Sequence, residues 1–361
     1  MYAKGIAITI ITLSVVTNTL LAKSYSLDGY MLLEGLQTFN GGLGHGSVYN
    51  AVLNPILNYN FTSYPGSSVR LGVLAIGDSD NTFQYTNALQ NISNMSAQRE
   101  LRLSELSYFH QFSRDIDVRV GIMDVRDYLN SYDVPKELFN SGFGTNRVMN
   151  NITNVSTYPY SGLGAILQYT QQSYSVQASV FQGDPEHIKS VFKHGALFLE
   201  QLNFNFDINH QNKQIFYLKF GAWQNYQPIS SVGFSNIGTY VMGQYAWLTD
   251  RAQQMSVFAE IGYNNKQENR LPFSLAAGVT VEGLLPGRNK DKAAFGATSI
   301  WLRNLNTETV LELTYAIHIF ASFFINPDIQ YIINPRGYLA NSWAGVLRLT
   351  YIFDGHLIER R

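Results

Sequence analysis

The segment at 342–353 constrains the fold of this chain more than any other. From Trp343 onwards, alternate residues are apolar or glycine, in the order Trp343, Gly345, Leu347, Leu349, Tyr351 and Phe353. The residues between them form a mixed set that includes the charged Arg348. Because successive side chains of a β-strand point to opposite faces, this strand has one apolar, aromatic-ended face and one mixed face. A soluble sandwich would bury the apolar face, whereas a transmembrane barrel would turn it towards lipid.

The chain carries few charges for its length. Only 14% of its 361 residues are charged, whereas soluble domains average about 25%. The net charge is -1 and the sequence contains no stripe of lysine and arginine, which argues against nucleic acid as a partner. The chain has no cysteine, so no disulfide framework contributes to its stability.

The N-terminus has the features of a secretory signal peptide. Lys4 precedes an uncharged, mostly apolar stretch at 5–16, and Leu20-Leu21-Ala22 offers a cleavage site. We therefore predict that residues 1–22 are removed on export. The remaining chain contains no run of the ~18 apolar residues that a membrane-spanning helix requires.

Alternation and turn residues together indicate about sixteen strands in one domain at 23–353. Their predicted spans are 27–37, 47–60, 67–77, 100–112, 115–124, 160–170, 173–182, 196–206, 214–225, 238–248, 255–264, 272–283, 293–302, 307–318, 320–331 and 342–353.

The connections between these strands alternate in length. Long connections at 78–99, 125–159, 183–195 and 226–237 alternate with short ones such as 113–114 and 171–172. Outer-membrane barrels have long extracellular loops and short periplasmic turns, and a sandwich has no reason to alternate them. We therefore predict an all-β fold, a transmembrane antiparallel β-barrel of about sixteen strands in the cell outer membrane.

Three segments of this barrel have a predicted place. We expect 78–99 to lie at the cell surface and 354–361 to form a periplasmic tail. The connection at 125–159 is too long for a plain hairpin, and two interpretations stay open: it folds into the lumen as a constriction, or it is a surface loop.

The cost of placing charge against lipid assigns the strand faces, since a lysine or arginine there costs roughly 2–4 kcal/mol. Barrel closure then places Arg70, Arg119 and Arg348 on one arc of the lumen wall. Lys219, Glu260, Glu282 and Glu312 lie on the other arc. Opposed charges across a narrow lumen suit polar solutes. The alternative is that these charges only hydrate the channel or pair with each other.

The fourth predicted strand breaks this pattern. Glu105, Ser107 and Gln111 share a lumen phase, but Arg102 is out of phase with them. We expect Arg102 to lie above the membrane or beside a β-bulge.

Motifs for catalysis, cofactors or metals do not stand out. The seven histidines are scattered, and the sequence has no HExxH, no GxSxG nucleophile elbow and no phosphate-binding loop. We therefore predict no cofactor and no metal site. An outer-membrane barrel enzyme stays a weaker alternative to a channel.

The block from Pro327 to Pro335 (PDIQYIINP) resembles the PDxQYxxNP signature of the carbohydrate-selective porins, the OprB family. Shorter matches follow one another along the chain, at 41–42, 103–106, 111–112, 118–121, 139–141, 158–164 and 181–185. The resemblance implies a sixteen-stranded outer-membrane barrel that passes sugars by facilitated diffusion. Two features depart from the family: residues 354–361 follow the terminal aromatic Phe353, and Ile122-Met123 stands where family members often have lysine.

Sugar hydroxyls suit bidentate donors and carboxylates, and sugar rings stack on aromatic side chains. The candidate substrate-contacting residues are therefore Arg119, Arg348, Glu105, Glu260, Glu312 and Lys219, with Trp223 and Tyr217 as stacking platforms. The expected partners are carbohydrates or other small hydrophilic solutes and outer-membrane lipid, and the chain is either a monomer or a homo-oligomer. A general, size-selective porin shares this fold, and a soluble lectin-like sandwich is the remaining alternative.

Overall fold

The computed structural model describes residues 25–78, 85–129, 134–150, 155–186, 193–209, 214–227, 234–249, 253–265 and 271–353. The predicted signal peptide at 1–22 and the predicted tail at 354–361 lie outside the described residues, so both stay predictions.

Sixteen antiparallel strands form a closed barrel in which each strand pairs with its neighbours in sequence and β1 closes on β16. The strands are β1 (Tyr25–Gly42), β2 (Gly46–Asn60), β3 (Ser67–Asp78), β4 (Glu100–Gln111), β5 (Ile116–Met123), β6 (Gly162–Thr170), β7 (Tyr174–Gln182), β8 (Ala196–Asn209), β9 (Gln214–Gln227), β10 (Phe234–Leu248), β11 (Gln254–Asn264), β12 (Phe273–Glu282), β13 (Lys292–Trp301), β14 (Glu308–Phe320), β15 (Phe323–Ile333) and β16 (Ala340–Phe353).

This architecture confirms the predicted fold class. The largest difference from the predicted spans is at β1, which continues to Gly42 instead of ending at 37. Its last residues pair with β16 through register shifts between Thr38 and Gly42. Such shifts insert unpaired residues, which interrupts the simple alternation on which the prediction depends.

The two faces of β16 are those that the sequence predicts. Trp343 and Leu347 are 42% and 52% exposed on the outer face of the barrel, whereas Ala344 is fully buried and Arg348 is 7% exposed on the inner face. The barrel is therefore apolar outside and mixed inside.

A β-bulge explains the irregular phase of β4. Gly72 pairs with Glu105, but the next residue, Val73, pairs with Leu103, so Ser104 has no partner of its own in the register. This extra residue brings Arg102 back to the inner face. The guanidinium of Arg102 lies 4.3 Å from the ring centre of Tyr160, in the connection after β5. Of the two positions predicted for Arg102, the one beside a bulge is confirmed.

The core of the protein lies inside the barrel and is built by two loops. The loop after β5, loop 3 (124–161), turns inwards and contains α1 (Val125–Tyr128), a 3₁₀ turn (Val134–Glu137) and α2 (Arg147–Asn150). Several of its apolar residues, including Leu138 and Met149, are fully buried. Of the two interpretations of this segment, the structure therefore favours the infolded constriction. None of the helices in the described parts of the chain is long and apolar enough to cross a membrane.

The loop after β3, loop 2 (79–99), also enters the barrel. Its described part, 85–99, buries Ala88 and Ile92 against the inner wall. The expectation that 78–99 lies at the cell surface was therefore wrong for this part. The isolated apolar residues of the loop have no periodicity that would reveal their burial in the sequence.

Candidate functional site

Two neighbouring cavities lie between the infolded loops and one side of the barrel wall. The larger, about 600 Å³, is bordered by β1, β16 and both loops, and the smaller, about 270 Å³, extends towards β2, β3 and β4. Tyr30, Arg126, Asp127 and Tyr158 line both cavities. These side chains form the boundary between the two spaces.

Arg348 is held rigidly at the wall of the larger cavity. Its guanidinium lies 2.5 Å from the Glu34 carboxylate on the neighbouring strand β1 and donates to Asn94 Oδ1 at 3.1 Å. The ring centre of Phe139 lies 3.5 Å from it on the loop 3 side. The charge of Arg348 is thus compensated by a carboxylate that the sequence interpretation did not include, and its position is fixed by both loops.

Glu34 binds β2 and loop 2 in addition to Arg348. Its carboxylate also accepts hydrogen bonds from Asn50 Nδ2 at 3.0 Å and from Ser93 Oγ at 2.9 Å. Since Glu34 is only 3% exposed, removing it leaves Arg348 buried without its counter-ion. We expect Glu34→Ala to reduce the free energy of unfolding by about 3–5 kcal/mol, the usual result of breaking a buried pair. Urea unfolding of the barrel in lipid or detergent measures this loss, and a change within error of Asp117→Ala would contradict it.

Arg126 lies between the two cavities at the start of α1. It forms a bidentate pair with Asp124, with Nη2 2.8 Å from Oδ2, and its guanidinium lies 5.3 Å from the ring centre of Tyr158. The neighbouring Asp127 is exposed to the cavities. Its carboxylate is therefore open to a solute, whereas that of Asp124 is occupied.

Arg70 and Arg119 form a cluster around Glu105 on the barrel wall beside loop 3. The Glu105 carboxylate lies 3.0 Å from Arg70 and 3.8 Å from Arg119, and it accepts a hydrogen bond from the Tyr128 hydroxyl. Arg119 also donates to Ser107 Oγ at 3.1 Å. Burial, together with the neighbouring Glu105, raises the pKa of the Tyr128 phenol, so this hydroxyl stays protonated and remains a donor.

The predicted charges of the opposite arc do not face these cavities. Glu260 accepts from Asn146 Nδ2 at 3.0 Å, and Glu312 accepts from the backbone N–H of Asn140 at 2.9 Å and from that of Phe139. Both carboxylates therefore hold loop 3 against the wall. The two charged arcs are separated by the infolded loops and do not face each other across one open space.

The two predicted stacking residues, Trp223 and Tyr217, lie on β9 and line neither cavity. Trp223 is 2% exposed and packs in an apolar cluster with Met149 and Tyr240, and Tyr217 packs against the same cluster. Lys219 lies between them on β9. Of the eight candidate residues, Arg348 and Glu105 line a cavity, whereas Arg119, Glu260, Glu312, Lys219, Trp223 and Tyr217 line neither.

Hydrogen bonds of four polar residues hold loops 2 and 3 against β14 and β15. We name these residues the loop anchor: Glu308, Glu312, Gln330 and Asn140. Glu308 accepts from the backbone N–H groups of Leu89 at 2.9 Å and Gln90 at 2.7 Å. Gln330 donates to the Ile92 carbonyl at 2.8 Å and accepts from Asn140 Nδ2 at 2.9 Å. Gln330 belongs to the block at 327–335 that resembles the family signature, and Asn140 belongs to the shorter match at 139–141. These two motifs therefore meet at the junction of loops 2 and 3.

Sequence reasoning missed Glu34, Asn94, Arg126, Asp127 and Tyr158, which all border the site. Glu34 shares the inward phase of β1 with Leu32 and Leu36, and this alternation was a signal for it. The other four lie in loops, where no period assigns an inward or outward direction.

Comparison with a protein-family model identifies the chain's relatives. Residues 77–235 and 227–353 match the carbohydrate-selective porin, OprB family. A comparison with curated protein sequences finds no match.

Solved porin structures share the fold. The high-pH structure of Pseudomonas putida OprB is 16% identical, with 92% of this chain and 94% of that chain covered and a TM-score of 0.82. The low-pH structure of the same protein is 14% identical, covers 92% and 93%, and has a TM-score of 0.64. The trimer form of OmpT, an outer membrane protein of Vibrio cholerae, is 9% identical, covers 91% and 100%, and has a TM-score of 0.56. At these identities the likeness concerns the fold.

Proposed function

The chain belongs to the OprB family of carbohydrate-selective porins, and we propose that it spans the outer membrane and lets sugars and other small hydrophilic solutes diffuse passively through its lumen. The apolar outer face and mixed inner face of its strands support this location.

One observation carries the proposal: the pair of internal cavities is bordered by arginine–carboxylate pairs, amides and aromatic rings. Arg348, Arg126 and Asp127 lie beside Asn94 and Tyr158 around the larger cavity. Charged donors and acceptors bind neighbouring hydroxyls with two hydrogen bonds, and an aromatic ring offers an apolar surface to a sugar ring. The arrangement therefore suits a neutral, hydroxyl-rich solute more than an ion of one sign.

We propose that Asp127, Arg126 and Arg348 contact the solute, with Tyr158 as the stacking surface. Burial raises the pKa of Tyr158, whose hydroxyl donates to the Met95 carbonyl at 2.9 Å and holds the ring in place. Glu105 contributes from the smaller cavity. Arg119 acts one step away by positioning Glu105 and Tyr128, and Glu312 and Glu260 act by holding loop 3.

Conductance across a planar bilayer, titrated with several sugars, tests this function. We expect at least one sugar to reduce conductance in a saturable manner. Desolvation inside the barrel and the neighbouring Asp124 raise the pKa of Asp127 to about 7, so the titration is made above pH 8, where the carboxylate is ionised. There Asp127→Asn removes an ionised acceptor, and a hydrogen bond to a charged group is worth roughly 1.5–3 kcal/mol. The half-blocking sugar concentration should therefore rise by roughly tenfold or more.

The matched control is Asp117→Asn, which neutralises a carboxylate on the inner face of β5 that lines neither cavity. Its half-blocking concentration should stay that of the unsubstituted chain. Conductance that no sugar blocks would instead support a general, size-selective porin.

A further inference from the structure

The cationic side chains around the larger cavity are not all paired with carboxylates. Its charged lining residues, within the described part of the chain, are Arg126, Asp127, Lys136, Arg147 and Arg348. Arg126 and Arg348 each form an ion pair with a carboxylate of the protein. Arg147, the first residue of α2, forms no ion pair with any residue that the structure describes. The larger cavity therefore has one guanidinium whose charge no carboxylate compensates by direct contact.

Arg147 uses only part of its hydrogen-bonding capacity within the described protein. The side chain is half-buried, its Nη2 donates to the carbonyl of Leu89 on loop 2, and its Nε is buried without a hydrogen-bond partner. Burial lowers the pKa of Arg147, and the negative charge of Glu308 opposes this shift. The Glu308 carboxylate itself accepts from backbone N–H groups, including those of Leu89 and Gln90. Glu308 thus holds loop 2 and leaves the guanidinium of Arg147 available to an anion.

Arg147 and Asp127 lie towards different ends of the larger cavity. Leu89, the acceptor of Arg147, is bonded to Glu308, the first residue of β14 at its loop end. Asp127 borders both cavities together with Tyr30, which lies nearer the short-turn end of β1. The unpaired cation is therefore on the loop side of the cavity, and the open carboxylate is on the short-turn side.

We propose that the larger cavity binds a sugar that carries one carboxylate, and that Arg147 binds this carboxylate. A guanidinium presents neighbouring N–H donors that match the two oxygens of a carboxylate. The charge pairs of Arg126 and Arg348 contact the hydroxyl groups of the ring, and Asn91 borders the same cavity with its amide. This inference rests on the proposed function, to which it adds the class of sugar.

The charges of the cavity favour a carboxylate over other anions. A small inorganic anion compensates Arg147 but makes no use of the amides and aromatic rings that border the remaining space. A phosphate group carries nearly two negative charges at neutral pH. Arg147 compensates one of these charges, and Asp127 in the same cavity repels the excess. A singly charged, hydroxyl-rich solute satisfies both the cation and the polar lining.

Conductance of the full chain across a planar bilayer, titrated with glucose and with glucuronate, tests the proposal. The two sugars have the same ring, and glucuronate carries a carboxylate where glucose carries a hydroxymethyl group. At low ionic strength, where salt screens charges least, glucuronate should half-block the pore at a concentration roughly tenfold lower than glucose does. In Arg147→Gln this preference should be lost, whereas the half-blocking concentration of glucose should stay that of the unsubstituted chain.

Two further variants separate a bound carboxylate from a general effect of positive charge. Arg147→Lys keeps the charge without the planar pair of donors, so it should retain part of the preference. Lys136→Gln is the matched control, because it removes another cation from the border of the same cavity, and it should leave the preference intact. The conductance of all three variants without sugar should equal that of the unsubstituted chain, which shows that loops 2 and 3 remain in place.

Equal half-blocking concentrations of glucose and glucuronate in the unsubstituted chain would overturn the proposal. An equal loss of preference in Lys136→Gln and Arg147→Gln would overturn it as well, since the effect would then belong to the overall charge of the cavity. Block by glucose with no preference for glucuronate would leave the proposed function standing. Block by no sugar at all would contradict the proposed function together with this inference.

Discussion

Removing the two carboxylates of the loop anchor should widen the pore and abolish its selectivity. In Glu308→Ala/Glu312→Ala, the backbone N–H groups of Leu89, Gln90, Arg336, Phe139 and Asn140 lose their acceptors. Each buried N–H group that loses its partner costs roughly 1–3 kcal/mol. Both carboxylates are at most 1% exposed, so water does not replace them while the loops stay in place. The freed backbone N–H groups bind water only when the loops leave the barrel wall. The equilibrium between infolded and detached loops therefore shifts towards the detached conformation.

Single-channel recording measures the outcome. We expect a conductance at least about twofold higher, with sugar block lost, because the cavities exist only between the wall and the infolded loops. Glu308→Gln/Glu312→Gln is an intermediate variant, since each amide keeps one oxygen acceptor but turns its NH2 group towards a backbone N–H that a carboxylate oxygen had accepted. Its conductance and sugar block should lie between those of the unsubstituted chain and those of the double alanine variant. A double alanine variant that keeps normal conductance and normal block would show that other contacts hold the loops.

The barrel wall could be predicted from the sequence because its signals are local. The alternation in β16 gives the two faces from adjacent residues, and the cost of a charge against lipid decides which face is outside. The same rule placed Arg119, Glu260 and Arg348 on the inner face correctly. Even the exception at Arg102 follows from a local cause, the bulge at Ser104.

The interior could not be predicted in the same way. The contact between Leu89 and Glu308 joins residues 219 positions apart, and that between Phe139 and Glu312 spans 173 positions. The inward phase of its strand predicted that Glu312 is a polar residue of the lumen wall. Whether its carboxylate contacts a solute or a loop depends on how the loop folds. Loops have no period that would reveal this. The hypothesis of opposed charged arcs treated the lumen as empty, whereas loops 2 and 3 lie inside it in the structure.

Gly121 offers a severe single-residue test of the wall. Its φ of +146° lies in a region that side chains rarely adopt, and a Cβ at this position would be 2.1 Å from the Leu106 carbonyl oxygen and 2.7 Å from Ser107 Cα. Both obstacles are backbone atoms of β4, which pairs with β5 at these residues. Gly121→Ala therefore requires the two strands to separate, next to the Glu105–Arg119 cluster. We expect a destabilisation beyond about 4 kcal/mol, a range that only severe strain or overlap reaches.

The yield of folded barrel, measured as the heat-modifiable band in gels, reports this effect. Stabilities of folded domains are typically about 5–15 kcal/mol, so a loss of this size should leave little or no folded Gly121→Ala. Gly35→Ala on β1 is the matched control, because its outward Cβ would meet no atom within 4 Å. This variant should assemble like the unsubstituted chain. A folded, conducting Gly121→Ala would mean that β4 and β5 pair in a different register, and the arginine cluster that depends on their pairing would then have to be placed anew.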